Sequence, residues 1–393
     1  MFKKILVLAP GHNQLDKRVN TSLKVISNIF DEVTVVYEER FSLSKFNAIE
    51  SVEYKYINGT SPRFMVLPRI QIYLNYLTSL LSEDTLVYIH ESGILGLLIA
   101  KSIKRKNKNI KIIFDYHDYV PWEIFHQVSK LTKNKFIKKF VASLILWFLK
   151  IHLSRKNLFD GLIGISKGQL KSLIQYLSVN NSIPTLYMPN TRIKLDNLDV
   201  VQRQRSDQIV FLWVGNIVDG RDLDKTINYL DILSDEYNLN FKFKIAGKVI
   251  SNKLFKALTT KKYFVYCGEF KNDKDILNNL DADINIGLFL GWEDEFNLGI
   301  NEIGSPNKVY SYINIGIPYI YHSKLLDVEN MIGANSGKAV ESFSQFEAAV
   351  KILVEKYDAF KKVIVKNREA MIWDDYNAKR LDEYLNKLIK GLT

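Results

Sequence analysis

The stretch of sequence that decides the fold is DTLVYIHESGILGLLIAKSIKRKNKNIKIIFDYHD, residues 84–118. It contains two short apolar runs, TLVYIH and IKIIFDY, on either side of SGILGLLIAKSIKR, which has the spacing of a helix. Apolar runs without polar alternation are typical of strands that are buried on both faces, and a helix between two such strands joins them in parallel. The stretch therefore predicts one strand-helix-strand unit of an α/β domain.

The same alternation extends in both directions along the chain. KKILVLA, EVTVVYE and DGLIGIS predict further strands, with helices at 18–29 and in KGQLKSLIQYL. After a polar stretch, 193–207, the pattern restarts: QIVFLWVG, FKFKIAG, YFVYCGE, DINIGLF and IPYIYH predict strands, helices start at 223, 252 and 305, and 343–392 is helical by spacing. Because 393 residues exceed one comfortable core, we expect two Rossmann-like domains, 1–195 and 207–370, whose parallel sheets face an interdomain cleft.

Composition excludes several classes of protein. With 47% hydrophobic and 25% charged residues and only 8 prolines, the chain should fold throughout. Its one cysteine, Cys267, cannot form an internal disulfide, which favours a reducing, cytoplasmic compartment. The apolar run at 5–9 is too short for a signal peptide, and no window reaches the roughly 18 apolar residues that span a bilayer.

The positive charge is concentrated in one stretch. The net charge is +11, and residues 101–157 contain 14 lysines and arginines against three acidic residues. Within them, 133–157 combines a mostly apolar run, 140–149, with seven basic residues. This pattern predicts a surface helix that binds the anionic inner membrane from its cytoplasmic face, and a helix packed on its own sheet is the alternative. No nucleic-acid motif accompanies the basic stretch, so we expect no nucleic-acid partner.

Five segments carry a family resemblance. They are PGHNQLDKRV (10–19), FDYHDYVPWE (114–123), DGLIGISKGQL with LYMPN (160–170 and 186–190), FLWVGNIVDGRDLDKTINYL (211–230) and GINEIGSPNKVYSYINIGIPYI (299–320). Together they resemble glycosyltransferase family 4 and its GT-B relatives over nearly the whole chain. The resemblance implies the GT-B fold, with a C-terminal helix, 371–393, that returns to the first domain and packs through Trp373. It also places Ser166 at a helix N-cap, a position that serine favours.

Residues of the first two segments are expected to bind the acceptor. In the family, a loop like that of the first segment approaches the substrates, so Gly11 is expected near the donor and Asp16 and Arg18 near the acceptor. The second segment resembles a strand-end D-x-H-[DE]-x-x-P-E motif. A histidine and carboxylates at a strand end can orient sugar hydroxyls and exchange a proton near neutral pH. We therefore expect His117 and Asp118 to be catalytic, with Glu123 as an acceptor ligand.

Residues of the last two segments are expected to bind the donor. Gly215 matches the family's glycine turn, Asn216 stands where the family commonly has arginine, and Arg221 is the best match to its lysine. In the fifth segment, the start of a helix would offer free N–H groups to the donor phosphates, and Lys308 would add a point charge. The donor-site residues expected there are Glu302, Ser305, Pro306, Asn307, Lys308 and Ser311. Ser311 stands where the commoner pattern has a ribose-binding glutamate, and Glu302 lies one position before the slot of a partner glutamate.

The resemblance implies a glycosyltransferase that moves a sugar from a nucleotide-sugar donor to a glycan or lipid-linked acceptor in bacterial surface polysaccharide synthesis. It implies no cofactor and no metal, because cations and helix N–H groups stabilise the leaving phosphate. Family 4 enzymes retain the anomeric configuration. Inverting relatives need a base, for which His117 and Asp118 are the candidates. Two alternatives stay open: a GT-B sugar-nucleotide epimerase, and a non-catalytic binding subunit, which Asn216 and Ser311 favour.

Overall fold

A computed structural model gives the fold of the chain. It describes residues 2–14, 16–39, 46–58, 66–82, 84–91, 93–117, 119–132, 134–154, 158–180, 182–190, 192, 195, 208–218, 223–237, 240–270, 272–278, 284–291, 299–326, 328, 336–371 and 374–392. Asp118, Arg221, Trp373 and nearly all of the predicted linker 193–207 lie outside these residues.

The described residues form parallel strands that alternate with helices. The strands are β1 (Lys4–Leu8), β2 (Glu32–Glu38), β3 (Val52–Ile57), β4 (Thr85–Glu91), β5 (Lys111–Tyr116), β6 (Gly161–Gly164), β7 (Thr185–Tyr187), β8 (Ile209–Val214), β9 (Phe241–Ala246), β10 (Phe264–Tyr266), β11 (Ile284–Phe289), β12 (Tyr319–His322) and β13 (Gly337–Val340). The helices are α1 (Lys17–Ile26), α2 (Val66–Leu77), α3 (Ile94–Lys106), α4 (Val120–Leu131), α5 (Lys135–Leu153), α6 (Lys167–Leu177), α7 (Leu223–Tyr237), α8 (Asn252–Thr259), α9 (Asp273–Asn278), α10 (Ile300–Ile303), α11 (Asn307–Asn314), α12 (Phe343–Glu355), α13 (Tyr357–Met371) and α14 (Asp374–Leu392).

The chain divides into two compact units. The first unit contains Met1–Pro189 and Asn377–Thr393, and the second contains Asn190–Tyr376. Among the described strands, the first unit has a seven-stranded sheet in the order β3-β2-β1-β4-β5-β6-β7, and the second has a six-stranded sheet in the order β10-β9-β8-β11-β12-β13. Neighbouring strands pair in parallel in both sheets, which confirms the predicted α/β class.

Both faces of the first sheet are covered by helices. On one face, α2 to α6 pack over alternate residues of β4 and β5, such as Val87 and Phe114. On the other face, α1 and α14 pack over the residues between them, such as Tyr88 and Ile113. A strand buried on both faces has no polar alternation, which is why the apolar runs in the sequence predict these strands correctly.

Several helices begin at side-chain N-caps. Ser166 is the N-cap of α6, and its hydroxyl accepts a hydrogen bond from the Gln169 N–H, as the sequence predicts. Asp16 caps α1 in the same way, since its carboxylate accepts from the N–H groups of Arg18 and Val19. No described helix is both long enough and apolar enough to cross a membrane.

Candidate functional site

Each sheet has a topological switch point at its first strand. β1 lies between β2 and β4 in the first unit, and β8 lies between β9 and β11 in the second. The chain runs to one side of the sheet after β1 or β8 and to the other side after β4 or β11, so the loops that follow these paired strands diverge beyond their carboxyl ends. Ligands of open α/β sheets bind in the crevice between such diverging loops. Of the predicted site residues, Gly11 follows β1, and Gly215 and Asn216 follow β8.

Asp115 is the centre of the polar network in the first unit. It lies on β5, is fully buried, and accepts hydrogen bonds through both carboxylate oxygens from the Arg18 guanidinium, at 2.6–3.1 Å. The Tyr88 hydroxyl donates to the same carboxylate at 3.0 Å. Arg18 also donates to the carbonyl oxygen of Met188. Arg18, predicted to contact the acceptor, therefore has partners inside the first unit.

Two histidines lie beside this carboxylate, and a third packs on one of them. His90 is opposite Asp115 in the parallel register of β4 and β5, and its Nδ1 lies 3.2 Å from an oxygen of Asp115. The same Nδ1 lies 3.2 Å from Nε2 of His117, which is itself 3.6 Å from the other oxygen. The His12 ring stands edge-on to that of His117, with centroids 4.9 Å apart, and its Nδ1 pairs with Asp16 at 2.9 Å.

Burial sets the protonation of the cluster. It lowers the pKa of His117 to about 4, although the Asp115 carboxylate acts in the opposite direction. Burial lowers the pKa of His90 as well. For Asp115, burial alone would raise the pKa, but the charge of Arg18 and the histidines hold it well below its ordinary value. At neutral pH the network therefore contains one buried carboxylate, one guanidinium and uncharged imidazoles at His90 and His117.

The cluster also contains three groups of the kind that bind transition metals. Donor atoms of His90, Asp115 and His117 lie within 4.8 Å of one another. Both oxygens of Asp115, however, already accept from Arg18, so a divalent cation would share that carboxylate with a fixed positive charge. We therefore interpret the cluster as a network of hydrogen bonds and an ion pair within the protein.

The remaining predicted residues of the first unit lie at two loops. Gly11 lies in the turn after β1 with φ of +83°, in the same loop as His12 and Asp16. Glu123 lies in the first turn of α4, and its carboxylate packs against the backbone of Gly93, the N-cap of α3. A carboxylate at that position is favoured by the partial positive charge of a helix N-terminus.

Lys308 is the centre of the second unit's site. Although it is a lysine, it is only 8% exposed. Its ammonium lies 3.7 Å from the ring centroid of Trp213 and 4.7 Å from that of Phe289, on the adjacent strands β8 and β11. Gly215 follows β8 with φ of +142°, and a Cβ there would come within 3.2 Å of Cε of Lys308. The predicted pair Gly215 and Lys308 therefore meets at the switch point of the second sheet.

Tyr312 anchors the helix that carries Lys308. It lies one turn after Lys308 on α11. Its hydroxyl is within hydrogen-bond distance of two backbone carbonyl oxygens, that of Leu212 on β8 at 3.1 Å and that of Leu288 on β11 at 2.9 Å. Its ring occupies the space above Gly287, where any Cβ would come within 2.5 Å of the ring. Glycine at 287 thus lets the helix approach the sheet closely and fixes the height of Lys308 above it.

The other donor-site predictions lie around the start of α11. Pro306 is the N-cap, and the buried Ser305 hydroxyl is 2.5 Å from that of Tyr310. Asn307 is exposed; its side-chain oxygen accepts from Asn190 at 2.8 Å and its carbonyl oxygen from Arg192 at 2.8 Å.

Three predicted donor residues contribute less to this centre. Ser311 is buried within α11, whereas Asn216 and Glu302 are exposed, the first directly after Gly215 and the second on α10.

Sequence reasoning missed the partners that complete both clusters. In the first unit these are His12, His90, Tyr88 and Asp115, and in the second they are Trp213 and Phe289. His90 could have been found, because it is the next-to-last residue of the strand beside FDYHD, and parallel neighbours end at the same edge of a sheet. Nothing in the sequence indicates the approach of Lys308 to two aromatic rings, since that contact depends on how closely α11 packs against the sheet.

Two parallel α/β units in tandem, each with polar residues at the switch point of its sheet, define a class of protein. The chain has the GT-B glycosyltransferase fold, and it matches solved GT-B structures over its full length.

Three similar structures illustrate the likeness. The lipopolysaccharide outer core galactosyltransferase WaaB is 13% identical with a TM-score of 0.62, over 99% of each chain. WaaG, a glycosyltransferase involved in lipopolysaccharide biosynthesis, is 12% identical with a TM-score of 0.64, over 98% of this chain and 100% of its own. HepE from Anabaena, solved in complex with UDP and glucose, is 11% identical with a TM-score of 0.61, over 99% and 100%. No protein-family model and no curated protein sequence matches the chain.

Proposed function

We propose that the protein is a glycosyltransferase that moves a sugar from a nucleotide-sugar donor to a glycan or lipid-linked acceptor in bacterial surface polysaccharide synthesis. The observation that carries the proposal is Lys308: a buried ammonium beside the Gly215 turn, at the switch point of a parallel sheet. A fixed cation in a water-poor site stabilises the negative charge that develops on a departing phosphate.

The donor side is assigned to the second unit. Lys308 and the first turn of α11 would hold the diphosphate, with Gly215 allowing close approach of the backbone. The proposed donor set of this unit also contains Asn216, Arg221, Glu302, Ser305, Pro306, Asn307 and Ser311. Gly11 is the member of the proposed set that comes from the first unit. The complex of HepE with UDP and glucose makes UDP the first nucleotide to test.

The acceptor side is assigned to the first unit. His117, uncharged near neutral pH, can donate and accept hydrogen bonds to sugar hydroxyls, and with Asp118 it forms the proposed catalytic pair. Asp16 and Glu123 are proposed acceptor contacts, and Arg18 would support that side by holding Asp115. Retention of configuration needs no separate base; in an inverting reaction His117 would accept the proton of the acceptor hydroxyl.

We further propose that α5 attaches the protein to the anionic face of the inner membrane. Of its 19 residues, only Ala142, Leu149 and Leu153 are buried, while Phe136, Phe140 and Trp147 are 87%, 70% and 60% exposed. Lysines 135, 138, 139 and 150 lie on the same helix. A large apolar surface with a basic rim fits the interface of an anionic bilayer, where a lipid-linked acceptor would be located.

The proposal is tested with nucleotides and with Lys308→Met, which removes the charge but keeps the apolar stem. We expect UDP or another nucleoside diphosphate to raise the melting temperature of the wild-type protein. The variant should bind that nucleotide about 10-fold to 100-fold more weakly, because a charge-assisted contact to phosphate is lost. Sugar transfer from the matching nucleotide sugar to membrane-extracted acceptors should fall by at least about 100-fold.

Lys256→Met is the matched control, since Lys256 is an exposed lysine of the same unit. It should behave as wild type in both assays. The proposal fails if no nucleoside diphosphate binds, or if Lys308→Met transfers sugar as well as the control. A sugar that stays linked to its nucleotide while its configuration changes would favour the epimerase instead.

A further inference from the structure

The surroundings of Lys308 suggest how its charge is held in place. A lysine ammonium is a compact charge on a flexible stem of four carbons, and it usually extends into water. Here it is buried over two aromatic rings, at 3.7 Å from the centroid of Trp213 and 4.7 Å from that of Phe289. Both distances are within the range of about 6 Å over which a ring face attracts a cation.

The two rings are buried on opposite faces of the second sheet, since Trp213 packs with the core under α7 and α12 and Phe289 packs with residues of α11. Trp213 is 0% and Phe289 is 1% exposed, and the strands that carry them, β8 and β11, are hydrogen-bonded neighbours. On the helix side, the Tyr312 hydroxyl lies close to carbonyl oxygens of the same two strands and so fixes α11 against them. The ammonium therefore lies where two paired strands and one helix meet.

We propose that Trp213 and Phe289 are positioning residues, which hold the Lys308 ammonium by cation–π contact beside the Gly215 turn, ready for the diphosphate of the donor. This inference rests on the proposed function. The rings act only through Lys308 and touch no reacting atom. A cation that is already in place needs no reorganisation when the phosphate binds, and this is the condition under which a charge is most effective in catalysis.

The proposal predicts a dependence on ring electrons and not only on ring volume. Two full-length variants separate these effects: Phe289→Leu, which removes the ring, and site-specific pentafluorophenylalanine at 289, which keeps the shape but removes the negative ring face. Both should weaken UDP binding, measured by calorimetry at fixed ionic strength, by about fivefold. Phe211→Leu is the control, because Phe211 is equally buried on β8 and packs on Phe241 and Phe346.

A double-mutant cycle with Lys308→Met completes the test. If the ring acts through the ammonium, Phe289→Leu should cost nothing further for UDP binding once the charge is gone. The inference is overturned if the fluorinated protein binds UDP as wild type, if Phe289→Leu matches Phe211→Leu, or if its effect persists beside Lys308→Met. Those three results leave the proposed function intact. UDP binding by Lys308→Met at wild-type strength would instead overturn both.

Discussion

His117 stays uncharged near neutral pH because burial lowers its pKa to about 4. In the unfolded chain the same ring takes up a proton as the pH falls through about 6.5. Above pH 6.5 neither state carries this proton, so the stabilising contribution of the neutral ring is complete. Between pH 6.5 and pH 4 the unfolded chain binds more protons, and stability therefore decreases as the pH falls.

We expect the free energy of unfolding of the first unit to decrease by on the order of 1 to 3 kcal/mol between pH 7 and pH 4.5. The decrease should be smaller in His117→Gln. Part of the decrease should remain in this variant, because burial lowers the pKa of His90 as well. Asp16 and Asp115, whose pKa values are lowered, change protonation only at more acidic pH.

Urea denaturation at a series of pH values measures this effect. His152→Gln, at an exposed position of α5, is the control and should follow wild type. An equally steep decrease in His117→Gln would show that this histidine is not the titrating group.

Single residues were predictable where one local rule decides them. Ser166 as an N-cap follows from a serine before a helical pattern, and the structure confirms it. The Asp115 network does not follow in this way, because Arg18 lies 97 residues and Met188 73 residues from Asp115 in the sequence. Such contacts depend on strand order, which hydrophobic periodicity does not specify.

At the scale of elements, α5 differs from the other described helices of the first unit. Its apolar residues are mostly exposed: Leu144, Phe148 and Ile151 are each more than half accessible, in addition to Phe140 and Trp147. Exposed apolar surface of this extent is unusual on soluble proteins and is typical of surfaces that bind a partner or a membrane. The sequence allowed either a helix packed on its own sheet or a helix on the surface. The structure shows a surface helix with one narrow face packed on the core.

We expect wild-type protein to bind vesicles that contain anionic phosphatidylglycerol and to bind neutral phosphatidylcholine vesicles more weakly. The double variant Phe140→Asp with Trp147→Asp should reduce binding to the anionic vesicles by more than about tenfold, because it removes inserted apolar area and adds repulsion. Co-sedimentation measures the bound fraction.

Ile250→Asp with Leu326→Asp is the matched control, since both residues are exposed apolar side chains of the second unit, at 55% and 52%. Equal loss of binding in the control, or none in the α5 variant, would exclude α5 as the attachment site.

Elements were predictable from sequence where both faces are buried. The pattern predicts β8, a continuous apolar run, and also β11 and β9, although Lys242 and Lys244 alternate with apolar residues in β9. It does not predict β3, β7 and β13. β3 ends the first sheet, and its residues Glu53 and Lys55 alternate with apolar ones, so its pattern is that of a half-exposed edge strand. β13, GKAV, is too short and begins with glycine.

On the scale of the whole molecule, the first unit is discontinuous in sequence. From Asn377 onward, α14 belongs to its core: Leu381, Leu385, Leu388 and Ile389 are buried among residues of β1, β2 and α1. The Asn377 side chain donates to the Pro189 carbonyl oxygen at 2.6 Å. Pro189 is the last residue of the first segment of this unit, and Asn377 is the first residue of its second segment.

In a chain truncated after Tyr376, we expect the first unit to be unfolded. Four large buried side chains contribute about 6 to 12 kcal/mol together, as much as the whole stability of a typical domain. In urea, monitored by circular dichroism, we expect only the transition of the second unit to remain. Leu385→Ala in the full chain should cost about 2 to 5 kcal/mol and shift only the first unit's transition. Two transitions in the truncated chain would contradict this assignment.

The split core also has a consequence for synthesis. A ribosome must make nearly all of the polypeptide, including the whole of residues 190–376, before it makes the helix that completes the first unit. Nascent chains should therefore expose the unfinished amino-terminal half throughout the synthesis of the second unit.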